Sequence, residues 1–206
     1  MSDDYEQVEV RSRAEWRAWL EEHHADSPGV WLVRFKKHVD DAYVSYDDAV
    51  EEALCFGWVD SRPRKVDDDR SALLVTPRKP ASRWSRPNKE RVERLLTSGA
   101  MAPAGLAVVE AAKATGTWTA LDAVENLEEP DDLAVALDAV PAARSNWDGF
   151  PRSARRGILE RILSAKRSPT REKRIAETVA EAAEGRRAHQ WPRRCPTRRR
   201  SACRAG

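Results

Sequence analysis

A-L-C-F-G-W-V-D-S, Ala53 to Ser61, decides the fold, because the residue period changes inside it. Upstream, Tyr46, Ala49, Val50, Ala53 and Leu54 recur at helical spacing. Ser45, followed three residues on by Asp48, is a capping box with Asp in place of Glu. Gly57 supplies the residue that ends such a helix, and Trp58 to Ser61 then reads as a strand. A second strand, Ala72 to Thr76, follows an acidic turn at Asp67 to Asp69, and Pro77 and Pro80 stop it. Ser85 caps a further helix reaching about Ser98, with Pro87 in its first turn and Val92, Leu95 and Leu96 facing inward. In the other direction, V-W-L-V-R-F, Val30 to Phe35, is a strand apolar on both faces. Val8 and Val10 mark a shorter strand. Trp16, Trp19, Leu20 and His23 put an amphipathic helix over 13–24, with Ser12 as its N-cap.

After Gly99 the β pattern stops. Pro103, Pro130, Pro141 and Pro169 each stand where a helix can begin. Ile158, Leu159, Ile162 and Leu163 form one apolar stripe, and Ile175, Val179 and Ala182 form another. The pattern predicts an α+β fold: a small mixed sheet with packed helices over 1–100, and an all-helical portion over 101–185 joined to it in one globular unit. Residues 186–206 read as a disordered Arg-rich tail, too poor in apolar residues to offset the entropy of ordering. Its composition fits the out-of-frame end of a GC-rich gene better than a basic arm for nucleic acid.

The formal charge of +2 averages two unlike regions. The last 21 residues hold eight Arg and no acid, which leaves 28 basic and 34 acidic residues in 1–185. A mildly acidic body argues against binding nucleic acid through its overall field. Of the three cysteines, Cys55 alone lies in the body, so no disulfide framework is expected there. No spacing fits a metal module, and no metal or cofactor is expected. The start M-S-D-D-Y-E-Q is unlike a signal peptide, and no apolar run is long enough to cross a bilayer. A cytoplasmic protein with no membrane partner is the expectation; its oligomeric state is open. Phosphate-loop, H-E-x-x-H and G-x-S-x-G patterns are absent.

Ala53 to Lys89 mixes Trp, Cys, Asp, Ser and many cations in a way that neither a core nor a plain surface requires. Around Ser85, the start of a helix combines with Arg78, Lys79, Arg83, Arg86 and Lys89, which suits a phosphate or carboxylate. The rival reading pairs Arg78 with Asp60 between strands. Asp60, beside Trp58, is the candidate general acid or base, weighed against a structural role. Cys55 sits at the end of a helix, where the dipole opposes a thiolate, so a buried structural thiol is preferred. Residues 152–174 carry nine cations against Glu160 and Glu172. They offer a surface for an anionic partner, nucleic acid included, though a solvated face paired with acids elsewhere is preferred.

At A-L-C-F-G-W-V-D-S (53–61), T-P-R-K-P (76–80), S-R-W-S-R-P-N-K (82–89), G-A-M-A-P-A-G (99–105) and A-K-R-S-P-T-R-E-K-R-I (165–175) the chain resembles the YdeI/OmpD-associated, or bacteriocin-protection, family. The resemblance spans about 8–185 and excludes the tail. It implies a link to stress or bacteriocin tolerance and an α+β fold with a helical C-terminal part. It implies no catalytic residue.

The expected activity is binding of a small anionic or planar ligand in a cationic and aromatic cleft. Arg78, Lys89 and Arg171 would hold charge, Ser85 and Asn88 would orient it, Trp58 and Trp84 would form walls, and Asp60 would lie nearby. The alternatives are an enzyme working through Asp60 and an interaction module working through 152–174.

Overall fold

The computed structural model describes residues 5–39 and 41–188, which divide into two compact units, one reaching to Asp122 and the other starting at Ala123. In the first unit, β1 (Glu6–Val10), α1 (Arg13–His23) and β2 (Val30–Phe35) form a β-α-β unit with parallel strands. α2 (Tyr46–Cys55) leads into β3 (Trp58–Lys65) and β4 (Arg70–Pro77), and the sheet order is β1-β2-β4-β3. β4 is antiparallel to both of its neighbours, so the sheet is mixed and the fold is α+β. α3 (Arg86–Thr97) and α4 (Pro103–Ala114) complete the unit. Thus α4, which the sequence groups with the helical portion, belongs to the same unit as the sheet.

The caps follow the sequence closely. Ser12 accepts from the Glu15 amide at 3.1 Å and Ser45 from the Asp48 amide at 3.0 Å. Each satisfies one of the free N–H groups at a helix start. Strand β3 outruns its expected end at Ser61. It runs on through R-P-R-K (62–65), although Pro63 has no N–H to give. β3 is an edge, however, and its register shifts between Asp60 and Pro63, which is where a sheet admits proline.

One sheet face carries the main core. Val8, Val10, Val30, Leu32, Leu73 and Val75 join Trp16, Leu20, Leu54, Trp58, Trp84 and Val92 there. Trp16 donates its indole N–H to the Ala49 carbonyl at 3.0 Å, fixing α1 on α2. On the other face, Trp31, Val33, Ala72 and Leu74 form a small cluster. The Arg62 and Arg64 guanidiniums lie over the Trp31 ring at 5.6 and 4.2 Å, so cation–π contact and long stems shield it.

In the second unit, α5 (Asp122–Asn126), whose first residue belongs to unit one, leads to α6 (Asp131–Asp138), α7 (Pro141–Asp148), α8 (Arg152–Leu163) and α9 (Ser168–Ala183). Pro103 and Pro141 open α4 and α7, Pro130 caps α6, and Pro169 lies in the first turn of α9. Leu133, Leu137, Trp147, Ile158, Leu159, Ile162 and Ile175 form this unit's core. Two inward assignments fail. Leu96 and Leu163 are 41% and 42% exposed, because the buried stripes are narrower than the apolar runs and end at Leu95 and Ile162. Of the expected tail, Arg186 pairs with Glu181 at 2.8 Å and Ala188 is buried; 189–206 lie outside the described residues. No described helix is long and apolar enough to cross a membrane.

Two constraints tie the helices of the first unit together. The Ala102 amide donates to the Cys55 carbonyl at 3.1 Å, and a Cβ on Gly105 would overlap that same carbonyl. Glu52, 3% exposed, receives Arg13 at 2.6 Å and Arg17 at 2.9 Å. Arg17 also donates to the Ala100 carbonyl at 3.1 Å. Gly105→Ala must push α4 off α2, and is expected to lower stability by about 1–3 kcal/mol in urea unfolding. Glu52→Ala leaves two arginines without their shared partner. The buried-pair penalty, discounted because both arginines are a third or more exposed, predicts a loss of about 2 kcal/mol by the same measurement.

Candidate ligand site

The β4–α3 loop, residues 78–85, lies beside α4, and a cavity of about 100 Å³ opens between them. The loop lines it with Arg78, Lys79, Pro80, Ser82 and Trp84; α4 and its C-cap line it with Val108, Ala111, Ala112 and Thr115. The local chain explains the placement. Gly57 turns with φ +75°, and its carbonyl accepts from the Arg78 amide at 3.0 Å, which anchors the start of the loop. The Trp84 amide donates to the Thr117 carbonyl at 3.3 Å, which ties its end to the turn after α4.

Arg78 is the unusual group. It is 9% exposed, its guanidinium lies 3.8 Å from the centre of the Trp84 ring, and its Nη1 donates to the Arg83 carbonyl at 3.3 Å. No carboxylate among the described residues pairs with it. Its Nε and the indole Nε1 of Trp84 are both buried with no described acceptor. Burial lowers the Arg78 pKa to about 10, with the charge of Asp60 opposing the drop. The group therefore remains a cation at neutral pH.

The other residues singled out in the sequence are placed as follows. Trp58 is 1% exposed, donates its indole N–H to the His24 carbonyl at 3.1 Å and meets Trp19 edge-on, so it is core. Asp60 accepts from the Tyr46 hydroxyl at 2.7 Å; burial, then this bond, pushes the Tyr46 pKa up to about 12. Asp60 and Arg78 form no direct ion pair among the described contacts. Ser85 is the N-cap of α3 without a side-chain capping bond. Asn88 accepts from Arg91 at 3.0 Å, and Lys89 pairs with Asp122. Arg171 lies in the second unit, where it grips Asp132 with two bonds of 2.6 and 2.8 Å.

Of these eight, Arg78 and Trp84 line this cavity. Lys79, Pro80 and Ser82 stand inside the stretches the sequence emphasised. The α4 wall did not stand out, since Val108, Ala111 and Ala112 look like any apolar helix face.

The basic stretch 152–174 is largely engaged within its own unit. Arg155 pairs with Glu129 at 3.1 Å, Arg156 with Glu125 at 2.8 Å and Glu160 at 3.0 Å, and Arg152 donates to the Glu125 carbonyl. Glu129 also accepts from Arg144 at 2.8 Å and from the Trp147 indole at 2.7 Å. No group of His, Cys, Asp and Glu among the described residues is placed to hold a metal ion.

Residues 126–185 match the family described as Bacteriocin-protection, YdeI or OmpD-Associated. Residues 8–108 match a different model, a domain of unknown function, DUF8412. The resemblance expected across 8–185 is therefore carried by the second unit. Of the five motifs, only A-K-R-S-P-T-R-E-K-R-I (165–175) falls inside that match, and the other four fall inside the DUF8412 match. No curated protein and no solved structure matches the chain.

Cys55 is fully buried, and burial, helped by the charge of Glu52, pushes its thiol up to about 11 against the pull of Arg17. The thiolate is the reactive form. Iodoacetamide at pH 8 should leave Cys55 unmodified in the native chain and label it only after unfolding, as read by peptide mapping. Native labelling at the unfolded rate would show an accessible thiol and overturn the buried structural reading.

Proposed function

We propose that the first unit binds a small anionic ligand in the cavity between the β4–α3 loop and α4. The observation that carries this reading is a buried guanidinium on the wall of the cavity, that of Arg78, with which no described carboxylate pairs. Buried donors are ordinarily satisfied, and a buried cation ordinarily has a counter-charge. An anion in the cavity supplies the counter-charge. Arg78 provides the charge and direction, and Lys79, exposed at the rim, adds to the attracting field. Trp84 holds the guanidinium over its ring at 3.8 Å and so orients it before the ligand arrives.

We also read the chain over 8–185 as a protein of the YdeI/OmpD-associated kind, acting inside the cell in stress or bacteriocin tolerance. The match over 126–185 supports that reading. Binding rather than catalysis is favoured by the position of Asp60, whose carboxylate is occupied by Tyr46.

The test is thermal shift at constant ionic strength with sodium acetate and with sodium phosphate, on the native chain and on Arg78→Met. Methionine keeps much of the stem over Trp84 and removes the charge. A desolvated Arg–anion contact is worth about 2 kcal/mol or more when broken, so affinity should fall at least about thirtyfold. Because the charged guanidinium is the binding form and its pKa is about 10, native affinity should be flat across neutral pH and fall as pH rises through 10. Equal shifts for Arg78→Met and the native chain would defeat the proposal.

A further inference from the structure

We infer that the ligand is a monocarboxylate carrying a short aliphatic chain, an inference that rests on the anion site proposed above. The cavity sets three conditions. Its size is the first. About 100 Å³ is less than the roughly 150 Å³ that admits a benzene ring in an enclosed apolar cavity, so an aromatic or nucleobase body would project from the mouth. An acid of two to four carbons fits inside.

The chemistry of the walls is the second condition. Val108, Ala112 and the Trp84 ring form an apolar floor. The charged donors are the Arg78 guanidinium and, at the rim, the exposed Lys79. A carboxylate has two oxygens on one end and can turn both to Arg78, while its hydrocarbon end lies on the apolar wall. A phosphate has oxygens on every side. Several would face Val108 and Ala112 without donors, at the cost of desolvation.

The third condition removes the planar option. One approach to the Trp84 ring is taken by the Arg78 guanidinium at 3.8 Å, and Trp118 sits against the same indole at 4.9 Å, tilted by 47°. The ring is committed to these neighbours, so it serves as a wall for the chain and a brace for the cation.

Calorimetric titration of the full chain with acetate, propionate and butyrate, at constant ionic strength, tests this directly. Affinity should rise about fourfold per added methylene, the factor that burial of one CH₂ gives. Propionamide and butyramide, with the same chains and no charge, should not bind measurably. Benzoate and inorganic phosphate should bind more weakly than butyrate. Ala111→Leu provides a second variant; the substitution is at an exposed helix position, and leucine there narrows the cavity mouth without touching Arg78. It should weaken butyrate more than acetate while leaving the melting temperature near native.

The outcomes separate the two readings. Phosphate binding as tightly as butyrate, with loss in Arg78→Met, would keep the anion site and overturn the carboxylate inference. The same follows if affinity is flat along the acid series or if benzoate binds best. Absence of binding by every anion would overturn both.

Discussion

The carbonyl of Cys55 is the point on which the first unit turns. It lies at the end of α2, accepts the Ala102 amide, and lies so close to α4 that only glycine can stand at 105. Two residues later, Gly57 takes a left-handed conformation at φ +75°, where a side chain would be strained and would also meet Val108. These two glycines allow α4 to rest on the α2–β3 junction with backbone almost touching backbone. Val108, Ala111 and Ala112 are thereby brought beside the loop that leaves β4. The Gly57 carbonyl fixes the first residue of that loop through the Arg78 amide. The cavity is therefore a consequence of helix packing at a β-turn of the chain that carries no ligand-binding chemistry of its own.

The same unit handles buried charge in two contrasting ways. Glu52 is almost wholly buried, yet Arg13 and Arg17 reach it from the surface and Arg17 continues to Ala100. The carboxylate is compensated and the arginines stay partly hydrated, which limits the desolvation penalty. This cluster clamps α1, α2 and the segment before α4. Arg78 has no such partner. Burial weakens its hold on its proton, Asp60 offsets only part of that, and an aromatic face is its main contact. One group has the environment of a structural ion pair; the other is a buried cation with no direct carboxylate partner among the described residues.

The sheet and its helices were legible because their signals are local. Ser12 and Ser45 cap helices by bonds to residues three positions away, Gly57 and the prolines act on their own dihedral angles, and the unbroken apolar run at the start of Val30–Phe35 reports directly on two covered faces. What was not legible depends on distant segments. Glu52 lies three residues from Ala49, on the rim of the apolar stripe, and nothing nearby announces that arginines of another helix will bury it. The extension of β3 through Pro63 required knowing that the strand is an edge. The site suffered most. Trp58 and Trp84 are chemically alike in the sequence, but Trp58 faces Trp19 and the His24 carbonyl within the core, whereas Trp84 borders a cavity. Arg171 and Arg78 are both arginines in emphasised motifs, but Arg171 meets Asp132 in its own unit.

An arginine with an unaccepted Nε is not by itself a site, and the comparison within this molecule shows why Arg78 differs. Arg34 and Arg155 also have a buried Nε without an acceptor. Arg34, however, donates to the Val44 carbonyl at 3.0 Å and lies near the rings of Tyr46 and Tyr43, and its own surface remains partly exposed. Arg155 has the Glu129 carboxylate. Trp31 too has a buried, unaccepted indole N–H, but its ring is sandwiched under arginine stems. Arg78 combines three conditions found together in none of these residues: deep burial, no paired carboxylate, and a place on a cavity wall beside a second residue with an unaccepted donor. Each condition costs free energy in a scaffold that only needs to fold, since an apolar residue over Trp84 would fill the space at lower cost. Their coincidence at one place is what a binding site requires and a core does not.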